Sequence, residues 1–219
     1  MDMQTTARTS GDDRRAAILK IARAAFLDEG YSHTTMSQIR DRVGGSKATL
    51  YNYFSSKKDL FLAVCDEEAA HALTPLFDVG EMRGDIFTVL EKFVQRFLNM
   101  FLSDDFIAFY RLIVAEAPRF PEVAQTAYEV GIRPGLERMA EYFSEAIEKG
   151  EMRPTNLSIA TWQFLDLCAG NLHRQRLWGI VSSVSNREIQ SYARRAAATF
   201  LAAYGSDDVS RRARAGIAL

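Results

Sequence analysis

Proline and glycine are scarce in this 219-residue chain. It has 5 prolines and 13 glycines, together about 8% of its residues against roughly 12% in average usage, and no proline precedes Pro75. Sheets with many turns need these breakers, so the deficit favours long helices joined by short loops. Cysteine is equally sparse. Cys65 and Cys168 are too few and too far apart for a disulfide framework or a metal site, and they suit reduced thiols in a cytosolic interior. The opening stretch MDMQTTARTSGDDRR lacks the apolar segment of a secretory signal. The longest apolar stretches all carry charges within the length of a membrane span, so the chain reads as soluble and cytoplasmic. Catalytic signatures are missing too: there is no Gly-rich phosphate loop, nucleophile elbow or metal-spaced His/Cys cluster, and His33, His71 and His173 are scattered. Asp166 and His173 lie two turns apart on one helix face, a pairing many helices offer by chance. Neither an enzyme nor a cofactor is expected.

An excess of positive charge is also missing, and that absence misleads. The net charge of −1 argues against a nucleic-acid partner only if the charges are evenly spread. They are not. Residues 14–58 hold nine Lys and Arg against three acids, a local +6, whereas residues 61–219 hold 17 basic and 21 acidic residues. A basic head precedes an acidic body.

What the chain has is helical periodicity. Ile18, Ile21, Ala22, Ala25 and Phe26 recur at spacings of three and four before Gly30 stops the pattern. Thr35 and Gln38 form a capping box for a short helix over 36–43. Gly44 and Gly45 break it, and Ser46 caps a second short helix to Tyr53. A fourth helix opens at Ser56, with Leu60, Phe61 and Val64 inward. Further helices are expected over 86–102, from Ser103 to Ala117, from Glu122 to Gly150 with a disturbance at 131–135, over 156–178, and from the Ser185/Glu188 capping box to Tyr204. The fold class is all-α. The domains read as a flexible N-terminus (1–12), a helix-turn-helix head (13–58), a larger helical body joined by the fourth helix (59–205) and a mobile tail (206–219).

Two short helices around a Gly-containing turn form the unit whose second helix enters the DNA major groove. Here that helix carries Lys47, Thr49, Tyr51, Asn52 and Tyr53 around only two apolar residues, Ala48 and Leu50. So much polar and aromatic surface suits a face covered only when DNA is present. Lys47 can reach phosphate or guanine, Asn52 can address base edges, and Thr and Tyr hydroxyls donate to phosphates. The amides opening the fourth helix, with Lys57, make a phosphate clamp, and Thr34 and Thr35 offer another.

The stretch from Thr35 to Leu60 resembles the TetR family of transcriptional regulators. The resemblance rests on Thr35, Ile39, Gly44, Ser46, Thr49, Leu50, Tyr51, Tyr53, Phe54, Ser56, Lys57 and Leu60. It implies groove reading by the helix from Ser46 to Tyr53, Ala48 included, and phosphate contact by Tyr51, Tyr53 and Lys57. Arg40 and Val43 stand where the family has small alanines, and Gly45 replaces an apolar turn residue. Residues 111–122 (RLIVAEAPRFPE) resemble the AefR-like C-terminal subgroup.

The family resemblance implies an effector pocket among the middle helices, and the candidate lining is Phe97, Phe101, Phe109, Tyr110, Tyr128, Trp162 and Asp166. Such a pocket would take an apolar or aromatic small molecule. The resemblance also implies a two-fold dimer built on the last two long helices, with Ala169, Gly170, His173, Ala193, Ala196, Ala197, Phe200 and Leu201 as candidate interface residues. The expected function is a homodimeric, ligand-released repressor on palindromic operator DNA. The alternative is a dimeric regulator with no effector.

Overall fold

The computed structural model describes residues 3–44, 47–77 and 83–217; of residues 3–10, 47–49, 216 and 217 it describes the backbone alone. The described residues are predominantly helical. Among the described residues no strand occurs, only an isolated bridge between Met152 and Gly205. The helices are α1 (Met3–His33), α2 (Met36–Val43), α3 (Lys47–Tyr53), α4 (Lys57–Leu76), α5 (Ile86–Phe101), α6 (Asp104–Glu116), α7 (Pro121–Ala127), α8 (Arg133–Glu148), α9 (Leu157–Leu177), α10 (Asn186–Tyr204) and α11 (Asp207–Ile217). The all-α expectation holds, and most boundaries fall within a residue or two of those read from periodicity and caps. The disturbance expected around Gly131 is a π-helical turn over Tyr128–Ile132.

The helices form two compact units, Met1–Ala70 with Ala108–Gly131, and His71–Ile107 with Ile132–Leu219. The first unit is therefore discontinuous, which a linear reading with a break after residue 58 did not foresee. Its core joins Ile18, Leu19, Ala22, Ala25 and Phe26 of α1, Ile39 of α2, Leu50 of α3, and Leu60, Phe61 and Val64 of α4 to Phe109, Leu112 and Val123 of α6 and α7. The physical reason is aromatic bulk. Phe26 and Tyr31 each meet Phe61 edge to face at 5.4 and 5.0 Å and lie tilted to one another at 5.7 Å, and Phe109 and Phe120 cover the cluster at 6.3 Å from Phe61 and 5.3 Å from Tyr31. Burying each ring stabilises by roughly 1.5–3 kcal/mol, which the short local helices alone could not achieve.

The first helix begins at Met3, so residues 3–12 continue α1 instead of forming the separate flexible segment expected. Regular α-helix ends at Gly30, whose φ of +81° no L side chain adopts readily. Pro121 occupies the first turn of α7, where its missing N–H is no loss.

The second unit packs the inner stripe of α5 (Ile86, Leu90, Phe93, Phe97) with Phe143 of α8, Phe164 of α9 and Phe200 of α10. The rings of Phe143, Phe164 and Phe200 lie within 4.9–5.6 Å of one another. Arg176 is buried at the end of α9 and satisfied there. It donates to the carbonyls of Leu102 (3.1 Å) and Val181 (3.3 Å) and to the Asp104 carboxylate (2.5 Å). Gly170 interrupts α9 with φ +44°, and the Tyr192 hydroxyl lies 1.5 Å from where its Cβ would stand. Gly170, a candidate dimer-interface residue, is thus closely approached by α10 of the same chain.

The tail after Gly205 is not the mobile segment expected. It folds as α11, with Val209, Ser210 and Ala213 buried. Ser210 Oγ donates to the carbonyls of Leu201 (3.0 Å) and Gly205 (2.8 Å), which satisfies the end of α10. Among the described side chains Val209 and Ala213 carry its buried apolar face amid many charges, too few for periodicity to register.

Candidate nucleic-acid interface

The helix pair α2–α3 is built locally. Gln38 N–H donates to Thr35 Oγ1 (3.3 Å) while the Gln38 side chain accepts from the Thr35 amide (2.7 Å), closing the expected capping box. Ile39 is the buried anchor of α2. Gly44 ends α2 with φ +69°, donates to the Arg40 carbonyl (3.0 Å), and accepts from Arg14 at 2.6 Å. Gly45 and Ser46, the latter expected to cap the next helix, lie outside the described residues, as do the side chains of Lys47, Ala48 and Thr49.

α3 is pinned from within by Leu50 and by Phe54 just beyond its end, which are 2% and 5% exposed. Arg15 lies 5.6 Å from the Phe54 ring centre and covers it with charge. Those anchors turn Tyr51, Asn52 and Tyr53 outward. Exposed polar and aromatic groups on a helix clamped by its neighbours are what groove insertion requires. Val43 packs partly buried against the head core, and Arg40 pairs with Asp41 at 2.6 Å, so the two departures from small alanine are accommodated at the edge.

Two phosphate candidates are corrected. Thr34 is fully buried, and its hydroxyl donates to the carbonyls of Gly30 (2.7 Å) and Ala25 (3.2 Å). A hydroxyl occupied in this way offers DNA nothing. Lys57 turns inward: Nζ donates to the Tyr31 carbonyl (2.7 Å) and lies 4.3 Å from the Tyr31 ring centre and 5.8 Å from that of Phe120. Burial lowers its pKa, against the opposing pull of Glu116 and Glu122. Lys58, which the sequence reading passed over, is the exposed lysine at the start of α4. Ser56 Oγ caps that helix by accepting from the Asp59 amide at 3.1 Å, and hydrogen bonds from Ser55 and Ser56 lower the Asp59 pKa.

The candidate pocket residues divide between the units. Phe109, Tyr110 and Tyr128 belong to the first, and Phe97, Phe101, Trp162 and Asp166 to the second. Phe109 is spoken for in the head core, stacked on Phe61. Phe97 and Phe101 belong to a ring ladder, Phe93–Phe97–Phe101–Phe106, with successive centres 4.5–6.3 Å apart, and His173 packs 4.1 Å from Phe101. Tyr128, Trp162 and Asp166 are exposed. Two surface grooves in the second unit, of about 230 and 280 Å³, are lined instead by Asp85, Phe87, Arg194 and Arg212 and by Leu172, Arg187, Ser191 and Tyr192.

The candidate interface stripe of α10 is corrected as well. Ala193, Ala197, Phe200 and Leu201 have no exposed surface and Ala196 is 5% exposed, because they pack on α5, α8 and α9 of their own chain. His173 is buried too. The outward face of α9 presents Ile159 (53% exposed) and Trp162 (41%), with Ala169 two turns on from Trp162. The sequence pattern of α9 did not reveal which side its own chain would cover.

The pair α2–α3, with α3 clamped and presenting Tyr51, Asn52 and Tyr53, has the architecture of a DNA-binding helix-turn-helix. Residues 18–64 match the profile of bacterial regulatory proteins, tetR family, and residues 88–206 match the AefR-like transcriptional repressor, C-terminal domain. The chain belongs to the TetR family. The HTH-type transcriptional activator FasR of Mycolicibacterium smegmatis is 34% identical over 106 residues, 48% of each chain. The HTH-type transcriptional repressor AcnR of Corynebacterium diphtheriae is 37% identical over 68 residues, 31% of this chain and 36% of that protein. The chain thus spans about half the length, or less, of these two relatives. Among solved structures, the Flavonoid-responsive Regulator FrrA superposes with a TM-score of 0.75 at 27% identity, covering 90% of this chain and 99% of that one. A TetR-family regulator from Mesorhizobium loti MAFF303099 superposes at 0.78 with 23% identity over 89% and 98% of the two chains, which shows the shared fold.

Proposed function

We propose that the chain is a repressor that binds a palindromic operator as a homodimer and is released by a small apolar or aromatic effector. The observation that carries the DNA-binding part is α3, anchored by Leu50 and Phe54 with Tyr51, Asn52 and Tyr53 turned outward. In this reading Asn52 addresses a base edge. Thr35, Tyr51, Tyr53 and Lys58 serve phosphates, with Lys47 and Thr49 on the same helix. Repression is favoured by the AefR-like repressor profile over residues 88–206, although FasR shows that relatives include an activator. An aromatic effector is favoured by the likeness to FrrA, a flavonoid-responsive protein, and by the ring ladder of the second unit. The dimer would use the outward face of α9, where Ile159, Trp162 and Ala169 share one side.

The test begins by selecting duplexes from a randomised library with the full chain. Asn52→Ala should then weaken the selected duplex by roughly 1–3 kcal/mol and leave a random duplex unchanged in fluorescence anisotropy. Equal losses on both duplexes would remove Asn52 from base reading. A panel of small aromatic compounds should include one that both raises the melting temperature and releases the selected duplex. Stabilisation without release across the panel would favour the regulator with no effector.

A further inference from the structure

The segment 111–122 resembles a subgroup signature, but only Tyr110 and Phe109 beside it were assigned a role. The structure places its second half at a different task. Glu116, at the end of α6, is 8% exposed, a depth at which a charged carboxylate needs strong partners. Its Oε1 accepts from both the amide and the hydroxyl of Ser32, each at 3.2 Å. A Cβ on Gly30 would stand 2.7 Å from the same oxygen, so a side chain there would displace the carboxylate in addition to straining a positive φ. From the other side Lys57 holds the intervening residue by its carbonyl, and the Tyr31 ring packs edge to face on Phe120 at 5.3 Å. Arg119 lies over the outer side of Phe120, its guanidinium carbon 5.6 Å from the ring centre. The corner Gly30–Tyr31–Ser32 is therefore gripped by a carboxylate and an ammonium. Two residues further on, the buried Thr34 leads directly into Thr35, the cap of α2.

We propose that Glu116 and Lys57 are positioning residues that clamp the α1–α2 corner and so set the pose of α2–α3, making the 111–122 segment a control point for DNA binding. The corner lies at the kinked end of α1, past the non-helical Gly30, where Thr34 adds a further hold through its hydroxyl bonds to the Gly30 and Ala25 carbonyls. Both grips act on backbone groups, Ser32 N–H and Tyr31 C=O, so they constrain the chain path and not merely a side chain. The helix that bears Glu116 begins in the second unit, at Asp104, and its boundary with the first falls between Ile107 and Ala108. A change along α6 would thus act on the corner through the backbone of a single helix. The proposal rests on the DNA-binding reading and adds the route by which that binding is regulated.

The test uses the full chain and the duplex selected by the wild type, with a random duplex as control. Glu116→Ala and Lys57→Met should each lose tenfold or more in affinity for the selected duplex. Glu116→Gln, which keeps an oxygen for the Ser32 donors, should stay within threefold of wild type. The slope of log affinity against log salt should be unchanged in all three, because neither residue touches phosphate. A slope reduced by roughly 0.9 in Lys57→Met would make that residue a phosphate contact and overturn its positioning role. Independently of DNA, hydrogen exchange on the free chain should show the amides of 32–40 opening at least tenfold faster in Glu116→Ala. Unchanged exchange there, or in Lys57→Met if Glu116→Ala does not fold, would overturn the clamp. A wild-type chain that selects no duplex, with exchange at 32–40 still faster in Glu116→Ala, would refute the DNA reading while leaving the clamp standing.

Discussion

His173 shows how a side chain changes character with its surroundings. In the sequence it pairs with Asp166 as a possible polar point on α9, but the structure buries it against Phe101 while Asp166 faces outward. Burial depresses its pKa to about 4 from 6.5, so the folded chain holds it neutral. Between those values the unfolded chain takes up a proton that the folded chain refuses. The contribution of His173 is therefore fully present above pH 6.5 and is lost as pH falls toward 4. The difference in unfolding free energy between wild type and His173→Leu should shift against the wild type by up to about 3 kcal/mol across that window in urea titrations. A difference independent of pH would mean that His173 is solvated in the folded state. Lys57 gives the complementary lesson: a lysine at a matching motif position is tied to a backbone carbonyl in the structure.

At the scale of elements, capping was the most legible signal. The Thr35 and Ser185 boxes both close as their four-residue patterns suggest, because a cap is satisfied within one turn and depends on nothing distant. α11 was illegible for the opposite reason. Its docking depends on Gly205, where a Cβ would meet the Leu201 carbonyl at 2.6 Å and Val209 Cγ1 at 2.8 Å. Gly205→Ala should destabilise by about 2 kcal/mol in thermal or urea unfolding, and the amides of 207–217 should exchange faster than those of α10. Equal exchange in wild type and variant would show that the turn absorbs the methyl.

At the scale of the whole molecule, assembly follows from which surfaces remain after each chain has packed itself. The small residues of α10, candidates for an association stripe, are used by the chain for its own core. Ile159 and Trp162 remain outward on α9. Under the dimer reading, Trp162→Glu should raise the dissociation constant of the dimer at least a hundredfold, equivalent to about 2.7 kcal/mol, with sedimentation equilibrium as the measurement. Affinity for a palindromic duplex should fall with it. A variant as dimeric as the wild type would place the interface elsewhere on the chain.

By itself the sequence determined the all-α class, the positions of nearly every helix, the helix-turn-helix head and its basic charge. Those features rest on periodicity, caps, glycine and local composition, which act over one or two turns of chain. Only the tertiary structure decided that α6 and α7 complete the core of the head, that Thr34 and Lys57 face inward, that α10 is enclosed, and that Glu116 reaches Ser32. Each of these depends on which of several apolar or polar faces meets a partner distant in sequence. A pattern of spacings describes the faces a helix has, and only packing selects the one that is covered.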